Sequence, residues 1–293
     1  MNKIYIKDIL EQVFGDNYSI ACRLSGGMNN ISYLIDYPNG KKYILHIPNG
    51  KINKLINRKN EQLNQKLTSD LGLTGVSLYF DVNRGIRIYE YIPGTTLDKC
   101  ESVDYEKMVD LLKKLHNSPT FCQNEFNPIQ RLFNYENLAL TYQKESDRYR
   151  FVRDFFSAHI DFLEYNHRKV PCHNDFDKKN IVVDEQNNYK IIDFEYMGNN
   201  DEIYDIASFG NDSIDEAEEL LKHYFNTPNK TQIERFYLWR VFISLLWHNL
   251  AIINHHQNKS RFVHIDFLAI ADHYLNNAEE AKRRYLSVHN LKD

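Results

Sequence analysis

The sequence predicts an α+β fold in two parts: a small amino-terminal part built on an antiparallel sheet, residues 1–92, and a large helical part, residues 93–293. Three observations predict it. Runs rich in β-branched and aromatic residues, separated by turn signals, fill most of the first part. Pro93-Gly94 breaks that pattern, and helical periodicity dominates after it. Between 170 and 193, short apolar runs interrupt the helices.

Each element has its own local reason. Strands are expected at 18–24, 31–37 and 42–47, with Pro38-Asn39-Gly40 turning between the last two. A helix is expected over 53–71, from the helical spacing of Leu55, Ile56, Leu63, Leu67 and Leu71, and Gly72 stops it. Two further strands, 76–81 and 86–92, are joined by Asn83-Arg84-Gly85. In the second part, 103–116 places Met108, Leu111, Leu112 and Leu115 on one helical face, and 147–166 reads as one long amphipathic helix. Short strands at 181–184 and 189–193 flank the turn Gln186-Asn187-Asn188, and helices run from Ile203 onward. A crevice between two such parts is a natural ligand site.

Composition excludes several classes. At 42% hydrophobic and 26% charged residues, the 293-residue chain has enough apolar content for a large core and is not disordered wholesale. A net charge of −4 provides no general attraction to nucleic acid or to anionic membranes, so a phosphate-bearing partner needs a local site. Cys22, Cys100, Cys122 and Cys172 are scattered without a C-x-x-C pair, which argues against a disulfide scaffold or a structural zinc site. The first dozen residues carry charges every few positions and do not read as a signal peptide. The most apolar stretch, 241–253, is interrupted by His248 and Asn249 and is too short to span a bilayer. The expectation is a soluble cytoplasmic protein acting on small molecules, with no nucleic-acid partner and no membrane insertion. The oligomeric state is left open.

The chemistry concentrates between Cys172 and Glu195. His173-Asn174-Asp175 is followed by Asn180, then an apolar strand, a turn, and a second strand ending in Asp193-Phe194-Glu195. An acid and an amide five residues apart on one loop can face the same ligand. A hard cation such as Mg2+ takes oxygen ligands, usually one or two carboxylates together with phosphate oxygens. Asn180 offers an amide oxygen and Asp193 a carboxylate, which leaves Asp175 to accept the proton of an attacking hydroxyl. Kinase-type phosphoryl transfer divides the labour in this way. Any one of the three is equally a turn cap or a strand end, but the three in register favour the catalytic reading. His173 is read as structural, ordering the loop, and not as a base.

These residues resemble the choline/ethanolamine kinase family, in particular its bacterial LicA-like branch, within the wider group of aminoglycoside phosphotransferases and other small-molecule kinases. The resemblance runs from about Leu24 to about Leu275. Asp175, Asn180 and Asp193 are common to the whole group. The sharper match lies in His173-Asn174-Asp175 with Ile192-Asp193-Phe194-Glu195-Tyr196, then Asn199-Asn200 and Tyr204-Asp205-Ile206-Ala207, and in the stretch from Leu55 to Glu61. It implies a two-lobed protein-kinase-like fold, with a small antiparallel-sheet lobe for nucleotide and a large helical lobe carrying the catalytic loop and acceptor pocket. It also implies ATP as cosubstrate, Mg2+ on Asn180 and Asp193, and phosphorylation of a small amino alcohol, choline first.

For the nucleotide, the resemblance points to Ser25, Gly26, Gly27, Asn29 and Asn30, where small residues let backbone amides approach phosphates. Turn chemistry accounts for that segment equally well. Kinases place a basic residue on the third strand, paired with a helix Glu. Glu61 is that Glu, but the strand position holds His46. A neutral imidazole, with a reference pKa of ~6.5, is a poorer clamp than Lys. Nearby phosphate and Glu61 would favour its protonated form, and Lys41, Lys42, Lys51 and Arg58 are possible substitutes. Glu90 and Ile92, just before Pro93-Gly94, take the hinge position against the adenine edge, or simply end a strand.

A trimethylammonium group is recognised by aromatic faces and nearby carboxylates. The resemblance puts a cage residue at Trp247 and an acid against the cation at Asp212, with Tyr196 and Tyr274 as secondary candidates. Core packing explains Trp247 as readily, and the two tyrosines more readily. Ser244 stands where some relatives carry a second Trp. The same chemistry on ethanolamine, thiamine or an aminoglycoside is the alternative, and His46 keeps open a non-catalytic ligand-sensing pseudokinase.

Overall fold

The structure, a computed structural model, describes residues 3–24, 30–48, 56–165, 167–211, 213–257 and 265–290. The chain divides into two units, one of residues 1–101, 118–124 and 179–197, the other of 102–117, 125–178 and 198–293.

In the first unit, β1 (Ser19–Leu24), β2 (Asn30–Asp36), β3 (Lys42–Pro48), β4 (Ser77–Asp81) and β5 (Ile86–Glu90) form an antiparallel sheet in the order β1-β2-β3-β5-β4. Strand alternation gives it two unlike faces. One carries Ile35, Tyr43, Leu45, Ile86 and Ile88, and helix α1 (Lys3–Phe14) buries Ile9, Leu10 and Phe14 against it. Each fully buried aliphatic side chain there contributes about 1.5–3 kcal/mol. This helix corrects the expectation of mostly strand at the amino terminus; Ile6, Ile9, Leu10 and Val13 have helical spacing and all join that core. The opposite face carries Ser32, His46 and Arg87 in one row, because Ser32 pairs with His46 and His46 pairs with Arg87 across the strands.

Helix α2 (Arg58–Asp70) is capped by Asn57, whose side chain accepts from the amides of Lys59 and Asn60. Of its expected span, 53–55 lie outside the described residues. Its buried stripe is polar: Arg58, Glu61, Asn64, Gln65 and Thr68, whereas Leu63 and Leu67 are only half-buried. The apolar spacing located the helix, but the polar residues make its inner contacts.

The unit also holds a smaller antiparallel sheet. Strand β6 (Gly94–Thr96) pairs with β8 (Ile181–Asp184), which pairs with β9 (Tyr189–Ile191); β7 (Lys169–Cys172) belongs to the second unit. Gly94 is required here, because a Cβ at this position would lie 2.2 Å from the carbonyl oxygen of Val183. The Leu73 carbonyl accepts from the Ile191 amide at 2.8 Å and fastens the β8–β9 hairpin behind α2.

The second unit is helical: α3 (Tyr105–His116), α4 (Pro128–Leu140), α5 (Asp147–Ser157), α6 (Ile160–Glu164), α7 (Glu202–Ser208), α8 (Ile214–Phe225), α9 (Lys230–His256) and α10 (Phe267–His289), with β7 paired antiparallel to β10 (Gly198–Asp201). The single helix expected over 147–166 is broken after Ser157. The His159 ring bonds the Phe155 carbonyl at 2.8 Å, while the His159 amide donates to Phe156, one residue nearer, which tightens the turn. Helix α9 is the unit's core element, with α4, α5, α7 and α10 packed on it. Its long apolar run is buried inside the protein, as in the core helix of a globular domain. Its buried Arg235 is fully matched: Asp201 takes its Nε and one Nη2 donor at 3.0 and 2.5 Å, and the Leu163, Phe162 and Tyr165 carbonyls take the remaining three at 2.7, 2.9 and 3.4 Å.

Candidate active site

Asp175 sits on the loop that follows β7 in the second unit, half-buried between buried neighbours. The loop backbone is fixed on both sides of it. Asp205 of α7, 0% exposed, accepts from the His173 amide at 2.8 Å and the Asn174 amide at 2.7 Å. His116 Nε2 lies 3.0 Å from the same carboxylate and must carry the proton, since a carboxylate only accepts. The Asn174 side chain donates to the Cys172 and Gly198 carbonyls at 3.0 and 3.1 Å and accepts from Asn200 at 2.8 Å. Asn174 has a left-handed φ of 62°, which the Asn side chain tolerates well. Beyond Asp175, the Phe176 amide donates to Ser208 Oγ at 3.1 Å. His173 is fully buried beneath the loop, its ring edge-on to Phe176. Lys178 pairs with Glu216 at 2.7 Å.

Asn180 and Asp193 belong to the first unit and are brought together by the β8–β9 hairpin. The Ile192 amide donates to the Asn180 carbonyl at 2.9 Å, which fixes the two positions at the open end of the hairpin, just before β8 and just after β9. Asp193 adopts φ 67°, and its Oδ1 is buried without a hydrogen-bond partner. A buried carboxylate oxygen without a hydrogen-bond partner, on a segment bonded through the backbone to that of Asn180, suits a hard cation, so the residues present fit Mg2+.

The same unit assembles a charged cluster. Glu61, 2% exposed, lies 2.5 Å from Arg58 and 3.1 Å from Arg87. Arg87, 3% exposed, also lies 3.9 Å from Asp193. Burial opposes the Arg87 charge, but the carboxylates of Glu61, Asp193 and Glu195 hold its proton affinity above the ordinary value. At His46, burial pushes the proton affinity well below the usual imidazole range, and the charges of Arg87 and Arg58 push the same way. Its Nδ1 lies 3.3 Å from Ser32 Oγ, and its Nε2 contacts the Tyr89 hydroxyl. Sequence reasoning missed Arg87. The available signal was the alternation Ile86-Arg87-Ile88, which turns the Arg away from the apolar face.

Of the other nucleotide candidates, Ser25, Gly26, Gly27 and Asn29 lie outside the described residues. Asn30 opens β2 with its side-chain oxygen buried and unpartnered. Glu90 is occupied within the sheet: its carboxylate accepts from the Val76 amide at 3.0 Å and its own amide donates to the Val76 carbonyl at 2.9 Å. Ile92 lies past the strand end, and its backbone forms no hydrogen bond among the described residues.

Asp212 also lies outside the described residues. In the second unit, Trp247 of α9 stacks on Tyr274 of α10, ring centroids 6.4 Å apart and planes 24° from parallel. Asn211, unremarked in the sequence, donates to the Tyr274 hydroxyl at 3.1 Å, and its side-chain oxygen is buried without a partner. Tyr196 belongs to the first unit and is half-buried.

Comparison with known proteins shows the family of the chain. The family model described as the phosphotransferase enzyme family matches residues 21–239. Protein LicA of Haemophilus influenzae is 31% identical over 235 residues, covering 75% of this chain and 68% of that protein. The crystal structure of choline kinase LicA from Streptococcus pneumoniae superposes with a TM-score of 0.76 at 27% identity, covering 97% of this chain and 99% of that one. Ethanolamine kinase 1 of Homo sapiens is 26% identical over 254 residues, covering 79% of this chain and 53% of that protein. The α+β architecture is that of the protein-kinase-like fold.

Proposed function

Because the chain belongs to the phosphotransferase enzyme family, a phosphoryl-transferring enzyme with an alcohol acceptor, we propose that it phosphorylates the hydroxyl of choline with ATP. The observation that carries this reading is the loop around Asp175, pinned by Asp205 and followed at fixed chain spacing by Asn180 and Asp193. Asp175 orients the acceptor hydroxyl and takes its proton. The acceptor oxygen bonds to the γ-phosphorus, the bond from that phosphorus to the bridging oxygen breaks, and ADP leaves. Asn180 and Asp193 are the residues that would hold Mg2+, which when bound neutralises charge on the β- and γ-phosphates. The protein contributes mainly positioning and electrostatics, so a rigid loop backbone is what the chemistry requires.

The Trp247–Tyr274 pair supports choline among amino alcohols, since aromatic faces attract a quaternary ammonium group. Asp212 would add a carboxylate beside it, and Ile92 would offer its backbone to adenine. Use of ATP is consistent with a reaction in the cytoplasm, which is the compartment proposed. ADP release with Mg-ATP, measured across choline, ethanolamine, thiamine and several aminoglycosides, tests the reading. Turnover with choline is expected, and Asp175→Ala should abolish it. Turnover only with another acceptor would remove the aromatic cage from the reading, and turnover with none would overturn it.

A further inference from the structure

Within this kinase reading, we infer that Arg87 of β5 is the cation that binds the nucleotide's phosphates, and that β3 contributes none. Residue 46 and Arg87 are direct cross-strand partners, so their side chains rise from the same face of the sheet. A cation lost from one can be supplied by the other without moving the backbone. The Ser32 and Tyr89 contacts hold the His46 ring within the sheet. Arg87 instead bridges toward the two acids that a phosphate-binding cation should meet, Glu61 of α2 at 3.1 Å and Asp193 at 3.9 Å.

The guanidinium also has capacity left over. It carries five N–H donors; among the described residues Nη2 meets the Glu61 carboxylate at 3.1 Å and Nη1 makes one long contact to the Gly85 carbonyl at 3.5 Å. A guanidinium can take a further anion through charge-assisted bonds. Its planar fork suits phosphate oxygens bidentately, which a Lys would meet only as a point charge. Arg58 already neutralises Glu61 from the other side at 2.5 Å, so Arg87 is not needed for that task alone. The other basic candidates do not share this placement. Lys42 reaches toward Asp36 at 3.9 Å with its side chain 48% exposed, and Lys51 lies outside the described residues.

The test compares the affinities of Mg-ATP and of adenosine, by calorimetry, for the wild type, Arg87→Met, Arg87→Lys and the double variant Arg87→Met with His46→Lys. Adenosine lacks phosphates, so the ratio of the two affinities isolates phosphate contact from general damage to the sheet. Arg87→Met should weaken ATP about tenfold or more while adenosine is nearly unchanged, the scale of a lost charge-assisted bond. Arg87→Lys should lose less, and the double variant should recover much of the ratio, because a Lys at 46 enters the same space. If Arg87→Met does not fold, Arg87→Lys and the double variant carry the comparison. An unchanged ratio in every variant that folds, or equal losses for both ligands, would overturn the assignment. Wild type that turns over acceptor with an unaltered variant ratio removes only this inference; wild type that does not bind ATP removes the kinase reading itself.

Discussion

His46 and Arg87 face each other across one rung of the sheet, and their surroundings drive them apart in charge. Burial favours the neutral imidazole, whereas three carboxylates keep the guanidinium charged. For His46 the consequence is a pH dependence of stability. Its folded proton affinity lies below the unfolded value of ~6.5. The unfolded chain therefore binds a proton that the folded chain refuses once pH falls below about 6.5, and stability drops from there downward. The slope from this one group is at most about 1.4 kcal/mol per pH unit. Urea unfolding at pH 7.5, 6.5 and 5.5 should show His46→Asn losing less stability than wild type over the lower interval. Parallel curves would mean that the ring protonates freely in the folded state. At this scale the sequence was legible wherever partners are near in the chain. Asp175, Asn180 and Asp193 announce themselves by spacing, and the hairpin keeps the last two adjacent. Arg87 did not, because the residue opposite it is set by strand register and by two intervening elements.

Helix α7 works as the anchor of the loop carrying Asp175, the proposed catalytic residue, and Asp205 is the atom-level reason. Its carboxylate fills two loop amides and the His116 ring proton in a fully buried setting. His116 is continued outward by Tyr224 at 2.9 Å, and Tyr224 by Glu202 at 3.0 Å, so α3, α7 and α8 all converge on the loop. Asp205→Ala leaves two buried amides without acceptors, at about 1–3 kcal/mol each. It should destabilise the protein by about 3 kcal/mol or more, read as a lower urea midpoint. In the folded fraction, a loosened loop should lower kcat up to about 100-fold with the KM for ATP little changed. A fall in ATP affinity with kcat intact would place Asp205 in nucleotide binding instead of loop positioning. Helix α2 shows the limit of periodicity. Its leucines located the helix in the sequence, but Asn64 and Thr68 fix its inner face, donating to the Met197 carbonyl at 2.7 Å and sulfur at 3.4 Å. A polar stripe of that kind has no signature in a hydrophobic pattern, because its partner lies 133 residues on.

The whole chain is organised by pairings that ignore sequence order. A boundary at Pro93 follows from the change in local character, strand before and helix after, and that change is visible in composition alone. Residues 179–197 sit far beyond it, yet they join the first unit. β8 hydrogen-bonds to β6 at Gly94–Thr96, β9 is fastened to the Leu73 carbonyl, Lys190 reaches the Gly72 carbonyl at 2.7 Å, and Met197 is held by Asn64 and Asn124. Nothing in the hairpin's own sequence names these partners. Two-stranded hairpins are marginal by themselves in water, so the segment carrying Asn180 and Asp193 owes its order to residues before 101. A fragment of residues 102–293 lacks every one of those partners except Asn124. It should therefore be cut rapidly by protease within 179–197, while the full chain resists there under the same conditions. Mixing it with a fragment of residues 1–101 should restore the protection, because the missing strand and carbonyls return with that piece. Protection of 179–197 in the fragment alone would show that the hairpin is ordered by its local sequence or by the helical unit, and that Asn180 and Asp193, the proposed metal ligands, do not depend on the sheet.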